Sequence, residues 1–182
     1  DFVPKMVAQL KEDLQLKSSP RKIEAFDISH LGGTNTVASM VSFFDGKPKK
    51  NEYRKYNIKT VEGIDDFASM REVVLRRYSR VKKEGLGFPD LILIDGGKGQ
   101  LSMAVSALRE LGLEYITVIG IAKRLEEVFV PGHSDPQNIP KSSSGLILLR
   151  RIRDEAHRFA ITFQRTKRKK TSLKSVFDDI AC

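Results

Sequence analysis

Cysteine is almost absent: Cys182 is the only one in 182 residues. That excludes a disulfide framework and a cysteine-ligated zinc site. Long apolar runs are absent as well. No stretch approaches the roughly 20 residues a membrane helix needs, and the first residues lack the charged-then-apolar order of a signal peptide. The expectation is a soluble, cytoplasmic chain with no membrane partner. Histidine is scarce, at three residues. There are no internal repeats, and no Gly-x-x-x-x-Gly-Lys-[Ser/Thr] loop that would mark a Walker-type nucleotide site. Acidic residues are in deficit, with 23 Asp and Glu against 32 Lys and Arg, a formal charge of +9. A balance of this sign favours a polyanionic partner, because neutralised phosphates release condensed counterions. What remains is 40% hydrophobic residues, enough for one ordinary core and too few for two. The chain does not begin with Met, which reads as a piece of a longer protein.

Along the chain, residues 4–16 (PKMVAQLKEDLQL) carry Met6, Leu10 and Leu14 at helical spacing. Lys17-Ser18-Ser19-Pro20 then reads as a hinge, so residues 1–20 form an N-terminal helix and linker. Strand patterns follow at Ile23–Ser29, Thr36–Phe44 and Tyr53–Ile58, with Gly32-Gly33 and Asp45-Gly46 as turns. Short connections make these an antiparallel meander. Asp65-Asp66 open a helix, with Phe67, Met70, Val73, Val74, Arg77 and Val81 on one face. Leu91–Ile94 (LILI) is the continuous apolar run of a strand buried on both faces. A helix over about Gln100–Leu111, a buried strand at Ile116–Ile121 and an irregular hairpin at residues 125–140 come next. Ser142-Ser143-Ser144 then cap a last helix to about Gln164. The order β-β-β-α-β-α-β-α is that of an RNase H-like α/β fold, a mixed sheet with helices on both faces, over residues 21–164. Residues 165–182 begin with the basic run RTKRKK and form a tail, commonly a solvated one.

Two carboxylates stand out. Asp27 sits inside an otherwise apolar strand, and Asp95 ends the LILI run. A buried, unpaired carboxylate costs several kcal/mol or neutralises by shifting its pKa. In the proposed order the two strands are parallel neighbours at the sheet centre, so both carboxylates project toward one crevice at the carboxyl ends of the strands. Close carboxylates repel unless a proton or cation joins them. A hard divalent ion, Mg²⁺ or Mn²⁺, suits oxygen ligands. The bland reading of Asp95 is the first residue of an Asp-Gly turn. His157, in RDEAHRFA, shares a helical stripe with Arg150, Arg153 and Ala160. Spacing leaves it open between an exposed or structural histidine and a ligand or base. The Gly96-Gly97-Lys98-Gly99 turn can offer backbone N–H groups and Lys98 to a phosphate, or be a plain tight turn. Basic residues at Lys47, Lys49, Lys50, Arg76, Arg77, Arg80, Arg150, Arg151, Arg153 and Arg158 are mostly surface charge, and those near the face of His157 are candidates for phosphate contact.

The strings FDISHLGGTNTVASMV, DDFASMREVVLRRYSR, PDLILIDGGKGQL and RIRDEAHRFAITFQR, in that order, closely resemble the C-terminal half of the UvrC family, the nuclease subunits of the bacterial UvrABC excision-repair system. The match runs from about Arg21 to about Lys170. The resemblance implies an RNase H-like nuclease that cuts damaged double-stranded DNA on the 5′ side of a lesion, leaving a 3′-hydroxyl and a 5′-phosphate, in company with the damage-recognition subunit UvrB. It implies that Asp27, Asp95 and His157 are the catalytic and metal-binding residues, with Asp66 as a supporting acidic position. Lys98, Arg153 and Arg158 are the expected DNA contacts, and a monomer is expected. Two parts of that family lie outside this sequence, the GIY-YIG-type domain of the 3′ incision and the helix-hairpin-helix domain that LKSVFDDIA approaches. Two rival readings stand beside the nuclease: a catalytically silent nucleic-acid-binding domain of the same fold, and a nucleotide-binding phosphotransferase using the Gly-Gly-Lys-Gly turn.

Overall fold

The computed structural model describes residues 2–32 and 35–180, with side-chain environments through residue 163. The elements are α1 (Lys5–Asp13), β1 (Lys22–His30), β2 (Thr36–Phe44), β3 (Lys47–Pro48), β4 (Arg54–Asn57), α2 (Asp66–Glu84), β5 (Leu91–Asp95), α3 (Lys98–Glu110), β6 (Thr117–Ile121), β7 (Val128–Phe129) and α4 (Ser144–Ile180). A 3₁₀ turn at Lys50–Glu52 separates β3 from β4.

The sheet runs β3-β2-β1-β5-β6-β7, and β4 also pairs with β2. β1 is antiparallel to β2 and parallel to β5, and β5 is parallel to β6. The meander, the parallel centre and the mixed sheet are as the patterning predicts. Two short strands are additions. β3 leaves the Asp45-Gly46 turn and pairs with the end of β2, so that β3 and β4 share one interrupted edge. β7 emerges from the irregular hairpin and pairs with β6.

The period of two along the strands sorts the core into two layers. Ile23, Ala25, Val41, Phe43, Leu91, Leu93, Ile119 and Ile121 face α1 and α4. Phe26, Ala38, Met40, Ile92, Ile94 and Val118 face α2 and α3. This two-sided burial is why β5 reads as an unbroken apolar run. α2 is capped by the Asp65 carboxylate, which accepts from the Ala68 N–H at 3.0 Å, and it ends at Gly85 in the left-handed region. Its buried face holds Met70, Val73, Val74, Arg77, Tyr78 and Val81. Phe67 departs from the predicted face: it is 52% exposed, and its ring lies against Gly99 at the start of α3. It stands in the first turn of α2, where its ring turns to α3 instead of the sheet.

α1 packs Val7, Leu10 and Leu14 into the same layer as α4. A Cβ at Gly145 would meet the Leu10 backbone at 2.8 Å, so only glycine lets the two helices approach this closely. The Ser143 hydroxyl caps α4 by accepting from the Gly145 N–H at 3.1 Å and bonds the Asp13 carboxylate of α1. α4 continues beyond Gln164 as one helix to Ile180. The side chains of the basic run and of LKSVFDDIA lie outside the described residues, as do Gly33 and Cys182. Among the described residues no helix is long and apolar enough to cross a membrane.

Candidate active site at the carboxyl ends of the central strands

Strand register builds the site. β1 and β5 pair in parallel through Ala25–Leu93 and Phe26–Ile94. One residue further, Asp27 comes abreast of Asp95, and both side chains share the parity of Ala25 and Leu93, the α4 face. The same face carries Ser39, paired with Asp27 across β1–β2. The fully buried Ser39 hydroxyl donates to the Ala156 carbonyl of α4 at 3.1 Å. This bond fixes α4 over the carboxylates at the residue before His157. The turn after β5 passes close over β6, where a Cβ at Gly120 would lie 2.8 Å from the Gly96 carbonyl oxygen.

Asp27 is only 6% exposed, and its Oδ2 has no hydrogen-bond partner among the described residues. Asp95 is half-buried beside it. Burial, then the charge of Asp27 and a hydrogen bond to it, push the Asp95 carboxyl up to about 7. Burial likewise raises Asp27, partly offset by its hydrogen bond with Asp95. Both effects penalise the doubly ionised pair, so without a cation the two carboxyls share a proton near neutrality.

His157 stands at the mouth of this pair, its side chain 53% exposed and its Nδ1 3.5 Å from Asp27 Oδ2. Arg153, one turn earlier on α4, acts electrostatically on Asp95. Lys123, two residues past the end of β6, acts on both aspartates. On the far side, His30 Nε2 lies 2.6 Å from Asp66 Oδ1, its Nδ1 lies 3.0 Å from Thr36 Oγ1, and the Asp66 charge is felt at Asp27. Among the described residues no group of three or more acidic, histidine or cysteine side chains forms a closed metal cage. The donor set still suits a hard cation: one orphaned carboxylate oxygen, a second carboxylate against it, and an imidazole nitrogen within a short side-chain movement.

The remaining sequence candidates divide. Lys98 is exposed at the first position of α3, directly after the Gly96-Gly97 turn. Arg158 points away from the aspartates. It pairs with Glu155 at 2.6 Å, which also accepts from the Tyr53 hydroxyl at 2.7 Å. Glu155 and Arg158 line a separate groove of about 720 Å³ on the neighbouring stripe of α4, with Lys50 and Arg151. Arg77 is buried, paired with Glu24 at 2.9 Å, so it is no part of a basic surface. Sequence patterning does not point to Lys123. The available signal was positional, since it follows the second parallel strand on the side where Asp95 ends the first.

A family model described as the UvrC RNase H endonuclease domain matches residues 11–161. The UvrABC system protein C of Christiangramia forsetii is 56% identical over 179 residues, covering 98% of this chain and 30% of that protein. Its counterpart in Flavobacterium johnsoniae is 54% identical with the same coverage. That of Methanococcus maripaludis is 56% identical over 168 residues, 92% of this chain and 32% of that protein. The chain thus spans about 30% of the length of the first of these relatives. Among solved structures, Endonuclease V of Ciona intestinalis superposes with a TM-score of 0.45 at 19% identity, over 83% of this chain and 65% of that one, a likeness too slight to add to the topology itself. With the family match across most of its length and relatives above half identity over nearly all of it, the chain belongs to the UvrC RNase H endonuclease domain family.

Proposed function

We propose that this chain is a metal-dependent DNA endonuclease that cuts on the 5′ side of a lesion in the UvrABC excision reaction. The observation that carries the reading is the buried Asp27 carboxylate beside Asp95, whose Oδ2 has no hydrogen-bond partner among the described residues and lies 3.5 Å from His157 Nδ1. Fold stability alone gives no reason to keep two raised carboxyls side by side on the central strands. Asp27, Asp95 and His157 would hold a divalent ion, Mg²⁺ or Mn²⁺, which when bound polarises the phosphate and lowers the pKa of an attached water.

The chain's own residues do the rest. The two carboxylates lie on rigid neighbouring strands, so their spacing is set by the sheet. His157, half-exposed, is free to meet a ligand or substrate atom at the mouth. Arg153 and Lys98, both cationic, hold the scissile phosphodiester by its non-bridging oxygens. Hydrolysis adds water oxygen to phosphorus and breaks the P–O3′ bond, leaving a 3′-hydroxyl and a 5′-phosphate. Damaged duplex DNA is the substrate, UvrB the partner that directs placement, and the chain acts as a monomer. Its +9 charge supplies a sequence-independent attraction to DNA that weakens steeply with salt.

The test is a Mn²⁺-soaked crystal together with Asp27→Asn in the reconstituted UvrABC reaction. An anomalous peak between Asp27 and Asp95, and loss of the 5′ incision with DNA binding intact, are expected. A peak elsewhere, or undiminished 5′ incision by the variant, overturns the reading and leaves a domain that only binds nucleic acid.

A further inference from the structure

The loop between β6 and β7 has a construction that the two-aspartate site does not require. Its base is closed by the Ala122 N–H donating to the Glu127 carbonyl at 2.8 Å. Leu125 and Glu126 both have positive φ, at 63° and 51°. Two successive non-glycine residues in the left-handed region are unfavourable, and such conformations persist where the surroundings over-determine them, often at functional sites.

Here the surroundings are ionic. Glu126 reaches Arg150 of α4 at 2.7 Å and Arg153 at 3.9 Å. Arg150 also donates to the Lys141 carbonyl at 2.7 Å, and Lys141 reaches the Leu125 carbonyl at 3.4 Å. The loop is thereby latched to the helix that carries His157. Its leading residue, Lys123, is exposed and makes no hydrogen bond or ion pair among the described residues, yet it is close enough for its charge to act on Asp27 and Asp95. Parallel pairing accounts for this position. Asp95 is the register partner of Ile121, so two further residues carry the chain over the mouth of the crevice.

We infer that Lys123 is a phosphate-binding residue of the incision site, and that the Glu126–Arg150/Arg153 latch is the device that positions it. A free ammonium over two carboxylates meets a non-bridging oxygen of a phosphodiester brought to them, and it offsets charge that grows as the pentavalent phosphorus forms. Glu126 touches no substrate; it acts by holding the loop that carries Lys123, and the double variant below separates this from an effect through Arg153. An exposed lysine is ordinarily a solvated one. The latch and the left-handed backbone distinguish this lysine from that case, and Arg124 next to it, also exposed, serves as the comparison.

The inference rests on the endonuclease reading, and two measurements separate their fates. In the reconstituted UvrABC reaction with Mg²⁺, Lys123→Ala is expected to slow 5′ incision by about 100-fold, Lys123→Arg to recover most of it, and Arg124→Ala to change little. Glu126→Gln should cost about 10-fold in the parent but no more than about twofold on top of Lys123→Ala, the non-additivity of residues acting through one another. In Mn²⁺ titration of this chain alone by calorimetry, Lys123→Ala should tighten binding several-fold by removing a cation beside the carboxylates, and Arg124→Ala should leave it unchanged. Incision by Lys123→Ala within about threefold of the parent overturns the inference while leaving the endonuclease reading intact. Fully multiplicative Lys123 and Glu126 effects assign Glu126 to Arg153 and overturn the latch. A parent chain that neither binds Mn²⁺ nor supports incision overturns both.

Discussion

Strand β1 carries two buried acids three positions apart, Glu24 and Asp27, with opposite surroundings. Glu24, fully buried on the α2 face, is saturated. Arg77 lies 2.9 Å from its Oε2 and the Tyr78 hydroxyl donates to its Oε1 at 2.7 Å. Asp27, on the α4 face, has an orphaned oxygen and a like-charged neighbour. Burial is nearly equal, so burial does not distinguish a structural acid from a candidate catalytic one. Pairing does: a buried charge with a full complement of partners serves the fold, and one left unmet asks for something from outside.

The sharpest way to break the comparison is to neutralise each acid in turn. Glu24→Gln leaves Arg77 as an uncompensated buried cation and is expected to destabilise by about 3–5 kcal/mol. Asp27→Asn relieves a repulsion and should leave the metal-free chain as stable as the parent or more so. Guanidinium unfolding of both variants measures this, and a large loss for Asp27→Asn would mean that the aspartate pair holds the fold together.

A smaller effect concerns His157. Because its side chain is half-exposed, His157→Ala should hardly move the thermal midpoint while slowing the 5′ incision by about 100-fold, with the 3′ incision unaffected. Equal 5′ rates in variant and parent would return His157 to an ordinary surface histidine.

The smallest effect is in pH dependence. The Asp95 carboxyl stands at about 7 in the fold against an ordinary value of 3.8. The folded state therefore holds its proton more tightly than the unfolded chain does. The associated stability is fully present below about pH 4 and is lost as pH rises through about 7. Thermal melts in chelator should fall by a few degrees from pH 5.5 to pH 8. Asp95→Asn should flatten that slope, and Mn²⁺ should reverse it, since a cation takes the place of the shared proton. An unchanged slope in Asp95→Asn would assign the dependence to other groups.

Asp27 and Asp95 are legible because Asp27 stands between Phe26 and Ile28 in a central strand and Asp95 ends the apolar run Leu91–Ile94. Glu24 interrupts the same strand and was not singled out: its partners Arg77 and Tyr78 lie more than 50 residues away in sequence, and nothing local announces them. His157 was ambiguous by spacing and became a candidate only through the motif around it. Arg158, one residue on, falls about 100° further round α4, and that single step turns it from the crevice toward Glu155 and Tyr53. Phe67 continues the helical period of α2, but its half-exposed ring lies against Gly99 of α3.

The sequence by itself determined the elements, the parallel pairing of the two aspartate strands and the family, because hydrophobic period and turn chemistry are local and a motif is read in order. The tertiary structure decided which charges are met. Glu24 found a hydrogen-bonded cation across the α2 layer, and Asp27 Oδ2 was left with no hydrogen bond among the described residues. Lys123 comes within electrostatic reach of the aspartates because β6 ends level with β5, and Glu126 reaches Arg150 across the fold. Electrostatic pairing depends on distance in space, and distance in space is fixed only when the layers close on one another.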